Sequence, residues 1–141
     1  MTMKRSAARY QVRWKIALIF DEEECKPTYH GRTHDLTLEG TGMLTHRDVM
    51  TESAVVVLLA IPPLQRNFKP KVIEISARQI YSVYSGATYC FRLGLEFIHF
   101  KNDGLQILEE ALSHYHPIIE LPEYEPFPTL FDADRLSQSG T

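Results

Sequence analysis

Two arginines lie four residues apart near the N-terminus, in the run Arg5-Ser6-Ala7-Ala8-Arg9. Each guanidinium is permanently charged and planar, with its donors in a fixed fork, so a pair can grip an anion from two directions where lysines would supply point charges. Lys4 precedes the first arginine, and Arg13 repeats the four-residue spacing after the second. A second group, Asp35-Leu36-Thr37-Leu38-Glu39-Gly40, offers a carboxylate acceptor, a hydroxyl and a glycine that permits both a tight reversal and a close approach. Taken alone, the first group reads as a solvated arm and the second as a turn that satisfies its own backbone. Taken together, they point to recognition of a small anion that also presents hydrogen-bonding edges.

Other chemistries are weakly signalled. His34 beside Asp35, and Glu96 near His99, offer acid-base pairs without any sign of a reactive geometry. Cys25 and Cys90 lack the flanking pattern of a nucleophile and the spacing of a metal site. His30 and His34 are four apart, but on a strand rather than a helix, and His114 and His116 flank a helix end. The expectation is a binding protein with no catalytic residues, no metal and no cofactor.

Charge is distributed unevenly. Residues 1–20 hold Lys4, Arg5, Arg9, Arg13 and Lys15 with no acid, Asp21 to Glu24 reverse the sign, and residues 117–141 carry five acids against Arg135. With a net charge of -3, this favours a local anion site over a basic face for duplex DNA. The longest apolar stretch, 54–61, is far too short to span a membrane, and the basic N-terminus has no apolar run of a signal peptide, so a cytoplasmic protein is expected.

The elements that must position these groups follow from hydrophobic periodicity. Residues 10–20 alternate Val12, Trp14, Ile16, Leu18 and Phe20 with more polar neighbours, which predicts a first strand. Further strands are predicted over 32–36, 41–45, 54–61, 69–84 and 89–97, with Gly40 making the reversal between the second and third, and Ser85-Gly86 a later turn. From Asn102 the period changes, and Leu105, Leu108, Ala111, Leu112 and Tyr115 form the apolar stripe of a helix capped by Asn102 or Asp103 and stopped before Pro117. With 141 residues there is room for one core. The reading is a mainly β, six-stranded antiparallel barrel with a C-terminal helix; a split barrel or two-sheet sandwich is the alternative. The chain divides into an arginine-containing arm (1–9), the barrel and helix (10–116), and an acidic, proline-rich tail (117–141).

Arg5 to Arg9, followed by Tyr10, and Asp35 to Gly40 resemble the RxxxR and (D/N)xSxxG patterns of the PilZ domain family, with threonine at the usual serine position. Arg92-Leu93-Gly94-Leu95-Glu96-Phe97 is similar to that family's closing strand, and the resemblance runs from about Lys4 to Tyr115. It implies a barrel whose arginine segment closes over cyclic di-GMP. On that reading Arg5 and Arg9 meet phosphates and guanine, Asp35 accepts from a guanine N–H, Thr37 donates, and Gly40 allows close approach, with Lys4, Arg13 and Arg92 as secondary contacts. The resemblance further implies a bacterial sensor whose arm orders on binding and which regulates a protein partner in motility, adhesion or exopolysaccharide production. The alternative is a nucleotide-independent interaction adaptor with a degenerate site.

Overall fold

A computed structural model describes residues 8–118. Six strands, β1 (Lys15–Ile19), β2 (Tyr29–Leu36), β3 (Gly40–Thr45), β4 (Val55–Ile61), β5 (Lys71–Ser85) and β6 (Cys90–Phe100), close into an antiparallel barrel, and α1 (Gly104–Leu112) follows. Around the barrel the order is β1-β2-β3-β6-β5-β4, so closure comes from the non-sequential pairs β3–β6 and β1–β4. That settles the choice between barrel and sandwich in favour of the barrel.

Alternation drives the packing. Val55, Val57, Leu59 and Ile61 of β4 point inward and meet Ile16 and Leu18 of β1, Ile73 and Ile75 of β5, Leu93 and Leu95 of β6, and Met43 of β3 in one core. Burying a side chain of this size contributes about 1.5–3 kcal/mol, so this core is the main source of stability. Leu108 and Leu112 join it from α1, whose first residue, Gly104, is buried against Ile73 and Phe100.

Residues 10–20 alternate in burial as expected, yet only 15–19 form a regular strand. The cause is a bulge in β2 between Thr33 and Asp35, which interrupts the register. Upstream of it the chain is held instead by Tyr10, which exchanges two backbone bonds of 2.8 Å with Leu36, and by Thr33. The buried Thr33 hydroxyl donates to the Val12 carbonyl and accepts from the Trp14 N–H, so it substitutes for the missing ladder bonds.

Three expectations need correction. Gly40 does not adopt a positive φ; it opens β3, and a side chain there would place Cβ 2.4 Å from the Leu95 carbonyl oxygen, so the glycine serves close strand approach. Tyr89, predicted as the first residue of the last strand, lies outside it: it takes φ 56° in the turn after β5 and is 78% exposed. On α1, Leu105 is largely exposed while Gly104 is buried, and Asp103 occupies the N-cap position without a side-chain capping bond.

Candidate functional site

The bulge in β2 determines which side chains share the outer surface. Thr33 and Leu36 both point into the core, so the two residues between them, His34 and Asp35, emerge on the same side instead of alternating. Asp35 pairs with Gly42 of β3, Gly42 with Gly94 of β6, and Gly94 with Tyr81 of β5. Thr41, Met43, Leu93 and Leu95 point inward, so Gly42 and Gly94 face outward. The row is therefore a floor with no side chain of its own at Gly42 or Gly94, yet both glycines are buried, Gly42 beneath the Asp35 carboxylate and Gly94 beneath the Tyr81 ring, with His34 beside Asp35 at the edge.

Asp35 is held from within the sheet. Its Oδ1 accepts the Gly42 N–H at 3.0 Å, and its Oδ2 lies 4.0 Å from Arg9 Nε. With Arg9 40% exposed, an ion pair of that length contributes less than about 1 kcal/mol, so it orients the two groups more than it stabilises the fold. The bridge between Tyr10 and Leu36 brings Arg9 there, since Arg9 directly precedes Tyr10 and Asp35 directly precedes Leu36. Arg13, exposed between buried Val12 and Trp14, donates to the His34 carbonyl at 3.1 Å.

Arg92 approaches from β6. A hydrogen bond with Tyr81 holds its guanidinium more firmly in the charged form, against the opposing effect of burial, and the Asp35 carboxylate adds to this. Its Nε is buried with no hydrogen-bond partner among the described residues, and so is Nδ1 of His34. Burial, reinforced by Arg92, Arg13 and Arg9, pushes the His34 pKa down, while Asp35 partly offsets them. At neutral pH the imidazole is uncharged.

Of the sequence-derived candidates, Arg9, Asp35, Arg13 and Arg92 converge on this floor. Lys4 and Arg5 lie outside the described residues, as does the tail beyond Ile118. Thr37 serves the turn: its hydroxyl oxygen accepts from the Glu39 and Gly40 N–H groups at 2.9 and 3.0 Å and lies 3.3 Å from the Gly40 carbonyl. Thr37→Val is expected to cost about 1–2 kcal/mol by orphaning these donors, and Thr37→Ser to be near neutral; urea denaturation of both variants checks this. His34 and Tyr81 carry no ligand role in the sequence reading. For His34 no local signal was available, because strict alternation would put it opposite Asp35. The outward Gly42 and Gly94 were readable as small residues between inward apolar ones.

Among the described residues, no group of three or more His, Cys, Asp or Glu is placed to hold a metal ion, and no helix is long and apolar enough to cross a membrane. A separate groove of about 320 Å³, between the loop after β4 and α1, exposes Leu64 and Phe68 and shares no residue with the floor.

The fold is found in solved structures. The inhibitor of motility MotI/DgrA of Bacillus subtilis matches with a TM-score of 0.64 and 10% identity, over 80% of this chain and 52% of that one. YcgR of Escherichia coli, in complex with c-di-GMP, matches at 0.60 and 15%, over 79% of this chain and 45% of that one. The K. pneumonia MrkH–c-di-GMP complex matches at 0.53 and 12%, over 79% and 52%. The chain thus has the barrel fold of these proteins and spans about half their length. No family model matches it, and no curated protein does.

Proposed function

We propose that the chain is a receptor of the PilZ type, binding cyclic di-GMP across the Gly42–Gly94 floor and passing that binding on to a protein partner. The observation that carries this is the meeting of Arg9, from the first motif, with Asp35, from the second, at the edge of a surface that also gathers Arg13 and Arg92. Two proteins of the same fold are described as complexes with c-di-GMP, which supports the choice of ligand.

The chemistry fits a dianion with two flat bases. Arginine forks meet phosphate oxygens or the O6/N7 edge of guanine, and their planes stack on a base. Arg5, the other half of the first motif, and Lys4 would approach from the arm preceding Arg9. The backbone is anchored from Arg9 onward, whose carbonyl accepts from the Ile118 N–H at 2.7 Å. The protein acts as a receptor and not as a catalyst, in the cytoplasm, and its partner belongs to the control of motility, adhesion or exopolysaccharide production.

Asp35 supplies base selectivity. Asp35→Asn keeps an oxygen for the Gly42 N–H but presents an NH2 outward, so a guanine N–H meets a donor where it had an acceptor. The preference for cyclic di-GMP over its adenine counterpart is expected to fall at least about tenfold. Calorimetric titration of both nucleotides checks this; an equal loss for the two would contradict the role of Asp35. An adaptor indifferent to nucleotide would bind neither.

A further inference from the structure

We propose that His34 is a further ligand-contacting residue of this site and that it takes up a proton as a cyclic dinucleotide docks, so that binding tightens on mild acidification. The inference rests on the reading of the site given above and extends it to a residue outside both arginine and aspartate motifs.

The β2 bulge places His34 on the outer face beside Asp35, where its Cβ lies 3.7 Å from the position a Gly42 side chain would occupy. It thus stands beside Asp35 at the edge of the floor. Its Nδ1 is buried and has no hydrogen-bond partner among the described residues, an arrangement that costs about 1–3 kcal/mol unless something else satisfies the atom. Arg92 Nε is in the same condition on the neighbouring side of the site. Two orphaned polar atoms beside one floor call for a hydrogen-bond partner, which a water or a ligand can supply.

The charges facing His34 set the sign. Arg9 reaches it from the segment before Tyr10, Arg13 from the stretch before β1, Asp35 from its own strand and Arg92 from β6, where Tyr81 of β5 holds the guanidinium. β3, the strand paired with β2 at this point, carries no ionisable side chain. Burial first, and then three cations against one carboxylate, favour the neutral imidazole while the site is unliganded. Two phosphate charges entering the site reverse that balance: they pair with the guanidiniums and favour imidazolium. Linkage then requires that whatever raises proton affinity on binding also raises ligand affinity as protons become more abundant. The same depressed pKa makes stability without ligand fall as pH drops below about 6.5, so acid loosens the empty site and tightens the filled one.

The test is titration of the intact chain with cyclic di-GMP at pH 8, 7, 6 and 5, in pairs of buffers with different ionisation heats, for the native protein and His34→Gln. The native protein is expected to gain about fivefold in affinity from pH 8 to 5, each unit of ligand-induced pKa change being worth up to about tenfold. It is also expected to take up protons on binding near pH 6. His34→Gln should still bind at pH 8 and show neither effect. The five other histidines remain in that variant, so loss of the pH response assigns it to His34. Affinity independent of pH, weaker in acid, or equally pH-dependent in His34→Gln would overturn the proposal while leaving the receptor reading intact. Absence of binding at every pH would instead remove the receptor reading itself.

Discussion

Arg9→Ala is expected to weaken cyclic di-GMP binding about a hundredfold while leaving the melting temperature almost unchanged. Each charge-assisted hydrogen bond to a phosphate or a guanine edge contributes about 1.5–3 kcal/mol, and every 1.4 kcal/mol is about tenfold in affinity. The fold is expected to depend little on the side chain. Its 4.0 Å ion pair with Asp35 is half-exposed, and the bonds that anchor this part of the chain are backbone bonds of Tyr10. Arg9→Lys is expected to recover only a small part of the loss, because a point charge cannot reproduce the planar fork. Titration alongside thermal unfolding separates the two effects; a large drop in stability would mean that Arg9 is structural.

Gly40→Ala should do the opposite and unfold the barrel before it touches recognition. The added methyl would sit 2.4 Å from the Leu95 carbonyl oxygen, which belongs to the backbone of β6 and cannot rotate away. Relief requires β3 and β6 to separate where Gly40 pairs with Glu96 and Thr41 with Leu95. Overpacking of this kind costs about 1–3 kcal/mol, and the lost ladder bonds add to it, so a fall of on the order of 10 °C in melting temperature is expected. Because β3–β6 is one of the two pairs that close the barrel, no neighbouring strand can compensate. A variant as stable as the native chain would show that the glycine is kept for the ligand and not for the sheet.

Period-two alternation in residues 10–20, the dense valine and leucine of residues 54–61, and the shift to helical spacing after Asn102 made the strands and the helix legible in the sequence. Order around the barrel was less legible, because the pairs β1–β4 and β3–β6 join segments distant in the chain and no turn residue announces them. The site divides in the same way. Arg9 and Asp35 were readable as chemistry, and only the Tyr10–Leu36 bridge shows that they meet. His34 was hidden by the bulge, since one extra residue in a strand reverses the face that simple alternation assigns. Gly40 was assigned the right kind of constraint at the wrong atom: its missing side chain matters against Leu95, not for a reversed dihedral.

The centre of the site is a single aspartate on the outer face of the sheet with cations arranged around it. That arrangement suits a ligand carrying both phosphate charge and guanine edges, and it is poorly suited to a simple inorganic anion, because Asp35 would repel it. Salt should therefore weaken binding without abolishing it, since stacking against the arginine planes persists when Coulomb attraction is screened.

Backbone amide shifts of the isotope-labelled chain, followed by NMR as cyclic di-GMP is added, test this most directly. Saturable changes are predicted in two separated stretches, residues 8–14 and 34–42, with the same midpoint, accompanied by residues 92–94. Changes confined to one stretch, changes centred on the groove beside α1, or a spectrum that stays still at millimolar nucleotide would contradict it.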